Sequence, residues 1–150
     1  MIAIIDYDAG NMKSVEKALD FLGCEYVVTK DTEVLREADK LILPGVGAFK
    51  DAVEALHSFG LFTEIQKLVK EGKPILGICL GLQLLFEESE ESPGVKGLSL
   101  LPGKIVRFSS EYGLKIPQIG WNQVNDAEEY YFVHSYYVEM NPFLLSESRE

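Results

Sequence analysis

The sequence predicts an α/β fold: a doubly wound, mostly parallel sheet with helices on both faces. Three observations carry that expectation. Short apolar runs alternate with longer amphipathic stretches through the first ninety or so residues. The apolar runs are nearly continuous rather than alternating, which is the pattern of strands buried on both faces. The chain has 150 residues, 47% of them hydrophobic, enough to bury a core in a single domain spanning 1–150 without disulfides or a structural metal.

The elements follow in order. Residues 2–7, IAIIDY, read as a buried strand that begins at the amino terminus. In GNMKSVEKALDFLG, Met12, Val15, Ala18, Leu19 and Leu22 fall at helical spacing, and Gly23 stands where a helix cap is expected. CEYVVT is the next strand, and KLILPGVG another, closed by a proline and two glycines. AFKDAVEALHSFG and LFTEIQKLVKEG are helical, with stops at Gly60 and Gly72. KPILGIC is a strand, and LGLQLLFEESEE, residues 80–91, is a helix whose acidic end, Glu87 to Glu91, is expected to be solvated.

After Pro93 the pattern changes. GKIVRFSS, IPQIGWNQV and YYFVHSYYV read as extended segments, the last rich in aromatic residues, forming a mixed or antiparallel flank on the sheet. No internal repeat, low-complexity segment or linker interrupts the chain.

Charge and composition remove several classes of function. The net charge is −10, from 24 acidic and 14 basic residues, which argues against a nucleic-acid footprint and against an anionic membrane surface. No apolar run approaches the ~20 residues needed to span a bilayer, and the amino terminus lacks a basic, signal-like start. Cys24 and Cys79 show no CxxC spacing, so no metal site is expected, nor any cofactor; two free thiols suit a reducing cytoplasm. Cys24, at a strand start, reads as an inert buried side chain.

Cys79 reads differently. It stands between Gly77 and Gly81, where an apolar strand runs straight into a helix. A nucleophile elbow has that form: a sharp, strained turn with small residues two before and two after the reactive side chain. A thiol at the first turn of a helix is favoured as thiolate by the dipole and the unpaired N–H groups. The following amide, that of Leu80, is positioned to receive an oxyanion. Parallel sheets place their sites at the carboxyl ends of strands, and a second such end, Pro44-Gly45-Val46-Gly47, is also rich in glycine.

These residues resemble a known family. Gly77-Ile-Cys79-Leu-Gly81-Leu-Gln83 is similar to the nucleophile segment of the class I, triad-type glutamine amidotransferases, which have a flavodoxin-like fold, and Pro44 to Gly47 resembles their oxyanion loop. IIDYDAGNMKSV, LLFEESEESPGVKGLSLLPGKIVRF, IPQIGWNQV and YFVHSYYV narrow the likeness to the glutaminase subunits of imidazole glycerol phosphate synthase, over Met1 to about Val138. The resemblance implies that Cys79 attacks the side-chain amide of glutamine, with the amides of Val46 and Leu80 holding the oxyanion. It implies that Gly47, Gln83, Ser135 and Tyr136 hold the substrate. It further implies that ammonia passes to a (β/α)8-barrel cyclase partner in a cytoplasmic heterodimer of histidine biosynthesis, docked near Asn11 and Trp121.

One part of the family pattern has no counterpart. The family's base is a histidine oriented by a glutamate in a His-Pro-Glu motif near the carboxyl end, and this sequence contains no such motif. Its two histidines are His57, on an amphipathic helix, and His134, which matches a family position other than the base. Residues 139–150 do not resemble the family, and the join between WNQV and NDAEEYYFV is short. Truncation, a shifted reading frame or deliberate shortening would each explain this, and the sheet is then expected to lack strands. Two alternatives therefore stand beside the glutaminase: a catalytically impaired module that docks on the cyclase, and another cysteine hydrolase of the same fold.

Overall fold

In the computed structural model of the chain, residues 1–113, 115–124 and 128–142 are described. Strand and helix alternate through β1 (Ile2–Ile5), α1 (Met12–Phe21), β2 (Tyr26–Thr29), α2 (Thr32–Glu37), β3 (Lys40–Gly45), α3 (Phe49–Ser58), α4 (Leu61–Lys70), β4 (Ile75–Cys79) and α5 (Leu80–Gln83). The four strands pair in parallel in the order β2-β1-β3-β4. The chain thus lays β2 on one side of β1, returns, and lays β3 on the other. In such a sheet the crevice opens at the carboxyl ends, where the winding reverses.

Side chains alternate across each strand and supply two cores. On one face Ala3, Ile5, Leu41 and Leu43 meet Leu35 of α2, Phe49, Ala52 and Leu56 of α3, and Leu61, Ile65 and Leu68 of α4. Each fully buried leucine or isoleucine there contributes about 1.5–3 kcal/mol of transfer free energy. On the other face Ile4 and Ile42 meet Leu19 of α1, with Met12, Val15 and Cys24 partly buried around them. The faces are unequal. Leu76 pairs with Ile42 in register and so belongs to the α1 side, but α1 does not reach it: Leu76 and Ile78 are 57% and 38% exposed. Burial on both faces, expected for every strand, therefore fails at β4, whose one strand partner among the described residues is β3.

Local chemistry sets the helix ends. The Asn11 side chain accepts the Ser14 N–H at 3.4 Å to open α1. The helix closes with Gly23 in the left-handed region, φ 66°, while the Gly23 and Cys24 amides donate back to Asp20 and Leu19. α2 begins where Asp31 accepts the Glu33 N–H at 2.9 Å. Arg36 of α2 then grips Glu64 of α4 with two bonds of 2.7 and 3.0 Å.

Beyond α5 the structure departs from expectation. The predicted helix over 80–91 ends at Gln83. Leu84, Leu85 and Phe86 are all buried, and three consecutive buried residues cannot share one helical face. The chain turns instead and forms β5 (Glu88–Ser89). The acidic run is exposed at Glu87, Glu88 and Glu90, as expected, but it does not end a helix. Glu87 accepts the Gly103 amide at 2.9 Å, Glu90 the Arg107 amide at 2.9 Å and Glu91 the Phe49 amide at 2.8 Å, while Glu88 pairs with Lys96 at 3.0 Å.

The remaining strands are β6 (Lys104–Arg107), β7 (Gln118–Val124), β8 (Glu128–His134) and β9 (Tyr136–Val138). They do not flank the parallel sheet as expected. β5, β6 and β9 form a three-stranded sheet, and β7 and β8 an antiparallel pair. The segment YYFVHSYYV is two strands rather than one. It breaks at Ser135, because its first half pairs with β7 and its second half with β6. Among the described residues no helix is long and apolar enough to cross a membrane. Residues 125–127, at the short join, and 143–150, in the atypical tail, lie outside the described residues.

Candidate active site

Cys79 is both the last residue of β4 and the residue that opens α5, with φ 55° and ψ −118°. A non-glycine residue held there carries strain of about 1–3 kcal/mol, which persists only where the surroundings impose it. Here they do. A β-carbon at Gly77 would lie 2.6 Å from the Leu82 α-carbon, and one at Gly81 would lie 1.8 Å from the Leu43 carbonyl oxygen. Both glycines of the expected elbow are thus required by the passage of backbone over backbone. The cysteine is free and exposed.

The Pro44–Gly47 segment lies alongside. Gly45 is the register partner of Cys79, and a β-carbon on it would sit 2.7 Å from the Gly81 nitrogen. Val46 and Gly47 follow, both exposed, with Gly47 at φ 101°. The Val46 amide, expected as an oxyanion donor, is engaged in this structure: it donates to the Ala9 carbonyl oxygen at 3.3 Å, a long bond into the β1–α1 loop. The Leu80 amide heads α5, and no side chain caps it. α5 is a single turn, shorter than the predicted helix.

A residue whose role no sequence motif marks lies beneath this loop. Tyr7, just past β1, is fully buried, and its hydroxyl donates to the Pro44 carbonyl oxygen at 2.7 Å. Burial, and then the charge of Cys79, push its phenol well above the usual tyrosine range. A tyrosine at the carboxyl end of a strand next to the winding reversal was the available signal.

Of the other expected site residues, Gln83 is half-buried and lies four residues beyond Cys79, on the same side of the turn. Tyr136 is on the second sheet, paired with Arg107, and Ser135 lies at the break just before it, its carbonyl accepting the Phe108 amide at 3.1 Å. No hydrogen bond joins them to α5 among the described residues. His134 places Nδ1 2.8 Å from the Tyr136 carbonyl oxygen, which calls for a hydrogen on that nitrogen. His57 is exposed and stacks on Phe62 at 4.0 Å, in keeping with a surface residue. Cys24 is half-buried against the α1-side core.

Among the described residues no hydrogen bond or ion pair reaches the Cys79 thiol. No group of three histidine, cysteine or acidic side chains able to hold a metal occurs among them either. The elbow can therefore present a sulfur nucleophile, beside backbone amides, to an electrophilic carbon. It does not present a base.

A second feature lies on β7 and β8. Ile119, Trp121, Tyr131 and Val133 share one face, in the register Ile119↔Val133 and Trp121↔Tyr131, and all four are exposed, Trp121 at 67%. The Trp121 and Tyr131 rings meet edge to face at 5.6 Å. Asn11 is exposed at the start of α1.

Comparison with known proteins identifies the family of the chain. Residues 3–148 match the family "Glutamine amidotransferase class-I". The chain is 52% identical to the "Imidazole glycerol phosphate synthase subunit HisH" of Halalkalibacterium halodurans, over 93% of this chain and 72% of that protein. It is 49% identical to the protein of the same description from Methanothermobacter thermautotrophicus, over 93% and 74%. A solved glutamine amidotransferase superposes with a TM-score of 0.71 at 23% identity, over 90% of this chain and 71% of that one, a likeness of fold.

Proposed function

The chain belongs to the class-I glutamine amidotransferases, as a subunit of the HisH type, and from that premise we propose that it takes ammonia from the side-chain amide of glutamine at Cys79. The observation that carries the reading is the exposed Cys79 thiol in a strained elbow, side by side with the Gly45 backbone.

The thiolate adds to the amide carbon. The Leu80 amide, with the Val46 amide once it leaves Ala9, stabilises the oxyanion, each donor being worth about 3–4 kcal/mol. The carbon–nitrogen bond breaks as the nitrogen gains a proton from water, and ammonia departs. Water cleaves the glutamyl thioester to glutamate and returns the thiol. Gly47 and Gln83 help hold the substrate, and Ser135 and Tyr136 bind its amino-acid end. The ammonia serves a cyclase partner in histidine biosynthesis, in the cytoplasm, docked over Asn11 and the Trp121 face; an exposed tryptophan is a common interface anchor.

Because no described base reaches Cys79, turnover by the chain alone is expected to be very slow, as loss of the base costs such a unit several orders of magnitude. The same observation favours a second reading, a module that docks on the cyclase without supplying ammonia. Ammonia release from glutamine, assayed with and without the cyclase and alongside pull-down on it, separates the two. Labelling of Cys79 by small thiol reagents but not by a glutamine-derived electrophile would reject both.

A further inference from the structure

The Pro44 carbonyl poses an accounting problem. β1 pairs with β3 only as far as Ile42, so the edge of β3 that faces β1 has no strand partner at Pro44. Pro44 is buried, and a buried carbonyl needs a donor. The Tyr7 hydroxyl, arriving from the chain just beyond β1, supplies it at 2.7 Å. The same hydroxyl lies 2.7 Å from where a β-carbon on Gly45 would be. Gly45 is in turn the register partner of Cys79 and is followed directly by Val46. One buried hydroxyl therefore fixes the carbonyl at the root of the loop that borders the nucleophile.

We propose that Tyr7 is a positioning residue for chemistry at Cys79: its hydroxyl, bonded to Pro44, sets the path of Gly45-Val46-Gly47 past the thiol and so the placement of an amide from that loop on the developing oxyanion. The inference rests on Cys79 being the nucleophile. Tyr7 touches no reacting atom. It acts through the peptide between Pro44 and Gly45, because a peptide plane anchored at its carbonyl oxygen cannot rotate without breaking that anchor. The phenol suits the task, since burial keeps it protonated and hence a donor at any physiological pH.

The test compares two reagents on the intact chain, because it needs no base and no turnover. A glutamine-derived chloroketone requires the loop, since its carbonyl becomes an oxyanion as sulfur adds. Iodoacetamide requires only an accessible thiol. In Tyr7→Phe the chloroketone rate at Cys79, followed by intact mass, is expected to fall about tenfold or more, while the iodoacetamide rate changes less than about twofold. 4-Aminophenylalanine at position 7, which keeps a donor, is expected to recover most of the chloroketone rate. Equal falls for both reagents, or no fall for either, overturn the proposal. If Tyr7→Phe is unfolded by circular dichroism, both rates are read in an excluded osmolyte beside the wild type; failure to fold there overturns the proposal too, because the hydroxyl then supports the whole fold rather than the loop. A wild-type chain that shows no preference for the chloroketone refutes the nucleophile itself, an outcome distinct from a wild-type preference that Tyr7→Phe leaves intact.

Discussion

Gly81 packs against Leu43 so closely that a β-carbon on Gly81 would lie 1.8 Å from the Leu43 carbonyl oxygen. The obstacle is backbone of a central strand, which cannot move aside as a side chain can. Gly81→Ala is therefore expected to destabilise the chain by at least about 3 kcal/mol, above the usual range for overpacking. Urea unfolding followed by circular dichroism measures it. A loss under about 1 kcal/mol would mean that β3 and α5 are farther apart in solution.

Cys79 is strained for a different reason, its own φ of 55°. Glycine relieves that strain but adds unfolded-state entropy. The two nearly offset, with strain the larger, so Cys79→Gly is expected to be more stable than Cys79→Ala by about 1 kcal/mol. Both variants are expected to lose all labelling by a glutamine-derived electrophile. Urea midpoints of the two give the stability difference directly. Equal midpoints would indicate that the elbow relaxes once the sulfur is gone.

These two predictions concern what the sequence made legible. Continuous apolar runs announced β1, β3 and β4: in β1 and β3 the run answers to burial on both faces, whereas β4 carries it with Leu76 and Ile78 exposed. Gly77 and Gly81 announced the elbow by their spacing about Cys79, although Gly77 answers to the nearby Leu82 backbone and Gly81 to Leu43 on β3. The hidden features all have distant partners. Tyr7 bonds a residue 37 positions away, and Glu91 one 42 positions away, so neither bond is written in the local sequence. The break at Ser135 depends on which strands claim its two neighbours. The early end of α5 depends on the core's demand for three successive apolar side chains.

Glu91 replaces a missing cap. Ala48 precedes α3 and has no side chain with which to cap it, and the Glu91 carboxylate, from the turn after β5, accepts the Phe49 amide at 2.8 Å instead. It thereby meets an orphan donor and the positive end of the helix dipole. Glu91→Ala is expected to cost about 1–2 kcal/mol, and Glu91→Gln less, since its amide oxygen still accepts. Urea titration of the three proteins checks the order. Equal loss in both variants would assign the effect to charge alone.

Arg36 and Glu64 tie α2 to α4, and the pair has a pH signature. The hydrogen bond from Arg36, then its charge, hold the Glu64 carboxyl below the ordinary value of 4.5. A carboxylate lowered on folding stabilises the native state above its unfolded pKa, and that contribution is lost as pH falls through the folded value. Arg36 is well exposed, so the contribution is screened and expected to stay below about 1 kcal/mol despite the two-pronged geometry. Wild type is therefore expected to exceed Glu64→Gln modestly in urea midpoint at pH 7, with the gap closing near pH 3. A gap that persists at pH 3 would place its origin in packing.

The bare side of β4 is a liability. From Pro74 to Phe86 the chain carries no charged residue, and Leu76 stands 57% exposed on a strand whose one described partner is β3. Natural edge strands are protected by a lysine, a proline or a bulge, and a flat apolar edge without them recruits other chains. Leu76→Lys is expected to raise the temperature at which light scattering begins and to slow association at high concentration. Because the side chain loses little buried area, the urea midpoint is expected to move by no more than about 0.5 kcal/mol equivalent. If stability instead fell by about 2 kcal/mol or more, Leu76 would be covered in solution, and the uneven burial of the two sheet faces would have to be abandoned.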